Sequence, residues 1–257
     1  MKRFFKEIQK YADYILFSAK AQLRAEVKNA YLDWLWWVLE PLGFMLIYVF
    51  IFSGIFGSSI EYFPIFVFIG NTIWTFFSRC ISASVQMIRS NRVTISKVYV
   101  PKYIFCIETM LVSFYKMWIS FFLILAMMLA YGVPFSWRII LILPAFFVMF
   151  VFTFGLGCLC AHIGVFVADM SYIVSIGLNM LMFVSGIFYS MESVPFGRVM
   201  ERVNPVAFLI SFARSVILYN ARPDYIMLFV WLLAAMMIAV AGVGIIYKNE
   251  NNYLKVV

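Results

Sequence analysis

The chain has 257 residues, of which 65% are hydrophobic, 20% aromatic and only 12% charged. A water-soluble fold must cover its core with polar residues, so this composition excludes a soluble globular protein. The apolar runs are continuous and do not alternate at every second residue, which excludes a β-barrel. The composition therefore predicts an all-α polytopic membrane protein.

The net charge is +8, and the basic residues lie in polar segments that flank the apolar runs. Membrane topology explains such a distribution better than nucleic-acid binding does, so no nucleic-acid partner is expected. The cysteines Cys80, Cys106, Cys158 and Cys160 fall in or beside apolar runs. They are interpreted as small buried hydrophobic residues, and no metal site is predicted.

Residues 4–29 combine a basic face with an apolar face. Basic residues recur at three- and four-residue steps from Lys6 to Lys28, beside an apolar stripe from Ile8 to Leu23. This pattern predicts an amphipathic helix that lies on membrane lipids in the headgroup plane. An ordinary solvated helix is the alternative. We assign residues 1–33 to this cytoplasmic interface helix.

The next stretch turns from the interface into the membrane. It contains Trp34, Trp36 and Trp37, and tryptophan collects where membrane meets water. Glu40 then stands directly before Pro41, which disfavours helical geometry in the residue before it but is tolerated in a first helical turn. The first span is therefore predicted to begin or kink there. Glu40 is either a helix-start carboxylate or a contact to a partner.

A single transmembrane domain is predicted over residues 34–250, followed by a cytoplasmic tail over 251–257. Between spans 2 and 3, the basic segment 84–102 is too polar to insert and predicts a short helix on the membrane face. Between spans 5 and 6, segment 205–217 is apolar but too short to cross and predicts a re-entrant or interfacial segment. The six predicted spans cover about 38–57, 63–83, 103–130, 139–164, 172–190 and 225–247.

The distribution of Lys and Arg predicts the orientation. The segments on the side of the N-terminus hold more of these residues than the segments on the opposite side, which favours cytoplasmic N- and C-termini. Segment 191–224 is the exception, because it lies on the opposite side and carries Arg198, Arg202 and Arg214.

Ionisable residues inside spans are costly, so each needs a partner or a role. Glu108 and Lys116 lie in the third span, and they either pair loosely with each other or bind other helices. His162, near the end of the fourth span, is interpreted as structural. Aromatic residues such as Phe66, Trp74 and Phe77 either pack against helices and lipid or line a pathway in which rings stack on sugars.

Catalytic signatures are missing from the sequence. The dipeptide Gly-Lys does not occur, which excludes a P-loop, and no nucleophile is paired with a base. We therefore predict a transport or channel subunit without catalytic residues and without its own ATPase. If transport is uphill, another polypeptide must supply the energy.

The order of these parts resembles that of the type-2 ABC transporter permeases, and more narrowly their polysaccharide-export branch, which exports O-antigen, capsule and teichoic acid. The resemblance covers the whole chain and is carried by the stretch 31–41, by Asp169 after the fourth span, and by Pro195 and Asn204-Pro205. The usual glycine before the first span is Asp33 here, and the usual Arg-Asp after the fourth is Ala168-Asp169.

The resemblance implies an assembly in the bacterial cytoplasmic (inner) membrane. Two copies of the chain would form one pathway, and two separate P-loop subunits would bind ATP and Mg²⁺ beneath it. The permease itself would hold no cofactor. The implied substrate is a lipid-linked glycan that enters from the cytoplasmic leaflet. A small-molecule or drug exporter is the alternative, and a channel or scaffold without an ATPase is a further one.

The resemblance also implies roles for individual residues. Arg89, Arg92 and Lys97 would contact the ATP-binding subunits. Trp34, Trp36, Trp37, Glu40 and Pro41 would lie where substrate and interface helix meet, and Phe66, Trp74 and Phe77 would line the pathway. Arg198, Arg202 and Arg214 would meet anionic sugars or headgroups at the exit, or else tie the re-entrant helices together through Glu192 and Glu201.

Overall fold

The computed structural model describes residues 2–28, 31–55, 57 and 60–256. The predicted segments also include Met1, Asn29, Ala30, Phe56, Ser58, Ser59 and Val257, which lie outside the described residues. The described chain consists of helices and turns and contains no strand. Its α-helices are α1 (Lys2–Lys10), α2 (Ala12–Val27), α3 (Trp36–Val49), α4 (Phe63–Ser90), α5 (Arg92–Lys97), α6 (Tyr103–Ala130), α7 (Ile142–Phe166), α8 (Met170–Val184), α9 (Gly197–Val203), α10 (Pro205–Ile217), α11 (Tyr225–Lys248) and α12 (Glu250–Val256).

Five helical segments of the described chain are long and apolar enough to cross a membrane. A helix is suited to lipid because it satisfies its own backbone hydrogen bonds. This finding confirms the predicted all-α polytopic class, and the five segments correspond to the first four predicted spans and the sixth. They are Trp36–Ile55, Phe63–Ser90, Tyr103–Ala130, Trp137–Phe166 and Tyr225–Lys248.

The predicted fifth span corresponds to α8, which has only 15 residues. At 1.5 Å per residue such a helix is about 22 Å long, shorter than the roughly 30 Å of a hydrocarbon core. The helix ends at Val184, and Gly186 adopts a φ of 65°, a left-handed conformation that suits glycine. The short helices α9 and α10 follow this turn, and α10 covers the same residues as the segment predicted to be too short to cross.

The first span begins earlier than predicted. A 3₁₀ turn at Asp33–Leu35 leads directly into α3 at Trp36, so Pro41 lies inside the helix. The helix therefore does not begin at Glu40-Pro41, and the alternative, a kink at this point, stays a prediction. Proline has no N–H to offer the carbonyl of Trp37, a loss that the rest of the helix tolerates. At its far end the helix widens into a π-helical turn over Phe50–Ile55.

The second span also differs from the prediction, because α4 does not end near residue 83 but continues to Ser90. Its last two turns are amphipathic: Val85, Met87 and Ile88 are buried, whereas Gln86 and Ser90 are exposed. The polar residues that indicated a separate helix on the membrane face thus occupy one face of a continuing α4. Only α5 remains of the predicted membrane-face helix, and it ends before Pro101.

Helix α4 forms the centre of the bundle. About 78% of its most apolar stretch is buried, against 6% for Trp36–Ile55. It packs against α3, α6, α7, α8 and α10. The N-terminal helix α2 lies along α6 and buries Ile15 and Ala19, while Lys20 and Arg24 on its other side are exposed.

Helices α7 and α11 approach each other through glycine. A Cβ atom on Gly155 would lie 2.5 Å from the backbone nitrogen of Ala239, and one on Gly242 would lie 2.7 Å from the Gly155 carbonyl oxygen. The two backbones are therefore in direct contact, as small residues permit in membrane helices. The two glycines lie on different helices, and the sequence contains no Gly-x-x-x-Gly motif. No local motif therefore indicated this contact.

Arg214 joins α10 to the turn that follows α8. Its guanidinium donates hydrogen bonds to the carbonyl oxygens of Gly186 (2.7 Å), Ile187 (2.7 Å) and Phe66 (3.0 Å), and it lies 3.3 Å from the centroid of the Phe66 ring. Gly70 leaves the necessary room, because a Cβ there would lie 2.6 Å from Nη2. The side chain is only 4% exposed.

This burial corrects the predicted place of Arg214 at an exit surface. Its guanidinium cannot meet a sugar or headgroup in this conformation, because backbone carbonyls surround it. The alternative, that it ties the short helices together, fits the contacts, although its partners are carbonyls and not Glu192 or Glu201. Arg198 and Arg202 on α9 are exposed, and their role at an exit stays a prediction.

We predict that Gly155→Val destabilises the protein while Gly244→Val does not. The added side chain at Gly155 meets the α11 backbone, whereas nothing lies within 4 Å of a Cβ at Gly244. Overpacking of this kind costs roughly 1–3 kcal/mol or more. Thermal denaturation of the two purified variants in one detergent measures the difference, and equal melting temperatures would refute the backbone contact.

We further predict that Arg214→Met lowers the free energy of unfolding by about 2 kcal/mol or more, because three buried carbonyls lose their donor. Methionine has a similar length but donates no hydrogen bond. Arg222→Met is the matched control, because Arg222 is exposed. The same denaturation measurement applies, and a melting temperature of Arg214→Met equal to that of the control would contradict the predicted role.

Candidate functional site

A polar cleft lies between α3, α4 and α6, inside an otherwise apolar bundle. Its inner part has a volume of about 240 Å³ and continues into a wider groove of about 710 Å³ that reaches α2. Both parts are lined by Trp37, Glu40, Arg79, Ser113 and Lys116. We refer to the two parts together as the α3–α4–α6 cleft. Charged side chains on membrane helices usually face a cavity or pair with one another.

Two ion pairs cross the cleft. Arg79 Nη2 on α4 donates to Glu40 Oε1 on α3 at 2.5 Å, and Lys116 on α6 pairs with Glu26 on α2. Each pair joins a central helix to a peripheral one. In both pairs the cation lies on a central helix, α4 or α6, and the carboxylate lies on a peripheral helix, α3 or α2.

The inner part of the cleft continues along a row of small polar side chains. Thr72 Oγ1 is buried and has no hydrogen-bond partner among the described residues, although unpaired buried hydroxyls are rare. Trp37 packs edge to face on Tyr115 of α6, with 5.7 Å between ring centroids. The further polar residues that line this part are Asn71, Thr75, Ser78 and Ser120.

The contacts between α2 and α6 resolve the alternatives for the ionisable residues of the third span. Ser18 on α2 donates to Glu108 Oε1 at 2.6 Å, and Glu26 on the same helix pairs with Lys116. Glu108 and Lys116 thus bind another helix and not each other. His162 Nδ1 lies 2.8 Å from the Tyr253 hydroxyl, a contact between α7 and α12 that fits a structural role.

The residues predicted at the membrane interface come together only in part. Trp37, Glu40 and Pro41 line the inner cleft, and Trp36 lines the wider groove. Trp34 is 58% exposed and lines neither part. The sequence did not indicate the partners Arg79 and Glu26, since the residues of the two pairs are far apart along the chain.

The predicted pathway aromatics lie in three different places. Trp74 lines the inner cleft, whereas Phe77 faces an apolar cavity of about 440 Å³ beside α9 and α10. Phe66 packs under the Arg214 guanidinium. All three are buried within the described chain, so a role in a pathway stays a prediction for Trp74, Phe66 and Phe77.

The predicted coupling residues lie at one end of the bundle. Arg89 Nη2 donates to the Val165 carbonyl oxygen at 2.7 Å and thereby joins the ends of α4 and α7. Arg92 and Lys97 are exposed on α5 and available to a partner. Contact with an ATP-binding subunit stays a prediction for all three.

Helix α1 is attached to the bundle at this same end. Glu7 on α1 accepts hydrogen bonds from Tyr103 (2.7 Å) and Tyr247 (2.5 Å) and pairs with Arg3 (2.8 Å). Burial would raise the pKa of Glu7, but the bonds from Tyr247, Tyr103 and Arg3 together hold that pKa below its usual value. The carboxylate therefore stays ionised and links α1 to α6 and α11.

The chain is similar in sequence to known membrane transport proteins. The family model for the ABC-2 type transporter matches residues 15–218. The O-antigen export system permease protein RfbA of Myxococcus xanthus is 25% identical over 227 residues, 87% of each chain. Two Klebsiella pneumoniae proteins of the same name are 23% and 21% identical over 95% of each chain. The family match covers well over half of the sequence, so the chain belongs to the ABC-2 type transporter family.

Proposed function

We propose that this chain is the transmembrane subunit of an ATP-driven exporter that moves a lipid-linked polysaccharide across the bacterial cytoplasmic membrane. Relatives named as O-antigen export permeases match nearly the whole chain. The observation that carries the proposal is the α3–α4–α6 cleft, because a lipid-linked glycan has a polar head and an apolar tail. A polar groove between membrane helices can take the head while the tail remains in lipid.

The proposed assembly contains two copies of the chain and two ATP-binding subunits. Much of α3 and α8 is left uncovered in the single chain: Phe44, Leu46 and Ile47 on α3 are exposed, and α8 has no buried residue. These apolar surfaces support contact with lipid and with a second copy. The sequence lacks a P-loop, so ATP and Mg²⁺ would bind to the partner subunits, and the permease would hold no cofactor.

The proposed topology keeps both termini in the cytoplasm, with α2 in the headgroup plane. The two ends of the chain meet at one end of the bundle, where Tyr99 and Lys102 contact Glu250, and Tyr247 contacts Glu7. This proximity supports termini on a common membrane face. Helix α8 would be a short sixth crossing, and α9 and α10 would form the re-entrant segment.

The proposed coupling surface is α5 together with α1. Arg92 and Lys97 are exposed there, and Tyr11, which lies between α1 and α2, donates to the Tyr99 carbonyl oxygen (2.9 Å) just after α5. A displacement of α5 by an ATP-binding subunit would thus be passed directly to α1 and α2. Arg89 would act from within, through its bond to α7.

We predict that the double variant Arg92→Ala/Lys97→Ala lowers polysaccharide export roughly fivefold or more, because two exposed charge contacts are worth up to about 1 kcal/mol each. Insertion and melting temperature should stay unchanged. Arg222→Ala is the control for loss of an exposed charge elsewhere. Arg89 is left out of the variant, because its loss would also loosen α4 from α7. Normal export by the double variant would remove α5 from the coupling surface.

Deletion of the gene tests the function itself. We expect lipid-linked glycan to accumulate in the cytoplasmic leaflet, and mass spectrometry of extracted glycolipid measures this accumulation. We also expect surface polysaccharide to disappear, which is measured on intact cells. Expression of the intact chain should restore export. Normal surface polysaccharide in the deletion strain would reject the function and leave export of a small molecule as the alternative.

A further inference from the structure

We propose that Arg79 and Lys116 form a binding site for the phosphate groups that join the lipid to the glycan, and that Glu40 and Glu26 occupy these cations until substrate displaces them. The inference rests on the proposed function and assigns a specific part of the substrate to the α3–α4–α6 cleft.

The first support is convergence. Arg79 comes from α4 and Lys116 from α6, yet both side chains line the inner cleft and the wider groove. Their carboxylate partners come from two further elements, α3 and α2. Four separate helices thus bring two cations and two anions to one cavity.

The second support is accessibility. The side chains of Arg79 and Lys116 are 37% and 17% exposed, and those of Glu40 and Glu26 are 42% and 38% exposed. Lys102 and Arg214 are closed to solvent by comparison, since they are only 2% and 4% exposed. A fully buried cation can only stabilise the fold, whereas the two ion pairs in the cleft are accessible to a ligand.

The third support is the chemistry of the donors. A guanidinium binds phosphate oxygens through two parallel hydrogen bonds, and a lysine adds a compact charge. A pyrophosphate that joins a lipid to a sugar carries one negative charge on each phosphate, so it can pair with both cations, and it offers more acceptor oxygens than one carboxylate. The Ser113 hydroxyl lines both parts of the cleft and is available as a further donor. Phosphate can therefore replace the carboxylates without leaving a cation unpaired.

The exchange has a structural consequence. Glu40 and Glu26 are the charged contacts of α3 to α4 and of α2 to α6. When phosphate takes over the cations, both peripheral helices lose these contacts. Loading of substrate would thereby loosen the two helices that border the cleft.

The experiment measures binding of a fluorescent polyprenyl pyrophosphate to the permease in complex with its ATP-binding subunits, in nanodiscs of phosphatidylcholine. We expect Arg79→Gln to weaken binding about tenfold, the effect of losing one charged hydrogen-bond donor. Glu40→Gln should instead strengthen binding severalfold, because it removes the competing anion but keeps the size of the side chain. Glu61→Gln and Arg222→Gln are controls, because both residues are exposed outside the cleft.

The opposite sign of the two variants separates this site from a structural brace. If the pair only stabilised the fold, both variants would weaken binding together or leave it unchanged, and either result would overturn the proposal. Lys116→Gln and Glu26→Gln repeat the test with the same expected signs, should a variant at Arg79 or Glu40 fail to fold.

Competing ligands identify the source of the phosphate. Unlabelled polyprenyl pyrophosphate should displace the probe, whereas the matching polyprenol, inorganic pyrophosphate and phosphatidylglycerol should not. Equal displacement by the polyprenol, by inorganic pyrophosphate or by phosphatidylglycerol would overturn a site for lipid-borne phosphate. None of these results bears on glycolipid accumulation in the deletion strain, so failure of this site and failure of the proposed function are distinguishable.

Discussion

Cationic side chains inside an apolar bundle must find hydrogen-bond or ion-pair partners within the chain, and this requirement shapes both the core and the cleft. Arg214 and Lys102 meet it by burial: one binds backbone carbonyls and the other pairs with Glu250. Arg79 and Lys116 meet it with carboxylates across an open cavity. The first solution fixes helices in place, since removal of any partner leaves a buried group unpaired. The second leaves the partner exchangeable, because water and ligands reach the pair.

The sequence predicted the class of the protein and most of its helices, since apolar length alone identifies a membrane helix. The prediction failed where the average polarity of a segment hides an apolar helix face. Residues 84–90 are polar enough to indicate a separate segment on the membrane face, yet they extend α4 because their apolar members lie on one face. The helix start was misplaced for a related reason. Pro41 is compatible with a first turn, but it is also tolerated later in a helix, and the 3₁₀ turn at Asp33–Leu35 provides the actual start.

The cleft could be predicted only in part. Trp37, Glu40 and Pro41 were marked by their position at the membrane interface, and the structure brings them to one cavity. Arg79 and Glu26 carried no such mark, because their importance arises from partners on other helices. The Gly155 contact with α11 was hidden in the same way. Local spacing can indicate which face of a helix is apolar, but it cannot indicate which distant residue that face will meet.

Among the five long apolar segments of the described chain, the one that contains α3 is the least buried. Only 6% of its most apolar stretch is buried, it contains Pro41, and it ends in a π-helical turn. Its contacts with the bundle lie at different heights, and Trp37 packs on Tyr115 of α6 in its first turn. Near its start Glu40 binds Arg79, and near its end Tyr48 and Phe52 pack on Phe188, with ring centroids 4.6 and 4.8 Å apart.

These two attachments differ in kind, and the difference gives α3 a direction of movement. The aromatic contact at Phe188 is apolar and buried, so a charged ligand has no means of competing with it. The Glu40–Arg79 pair is ionic and lies in the cleft, where an anion can replace the carboxylate. Loss of the ionic contact would leave the start of α3 held by the edge contact of Trp37 on Tyr115, while Phe188 would hold its end as a pivot. A polar head in the cleft would thus loosen the end of α3 that contains Trp37, which lies next to α2.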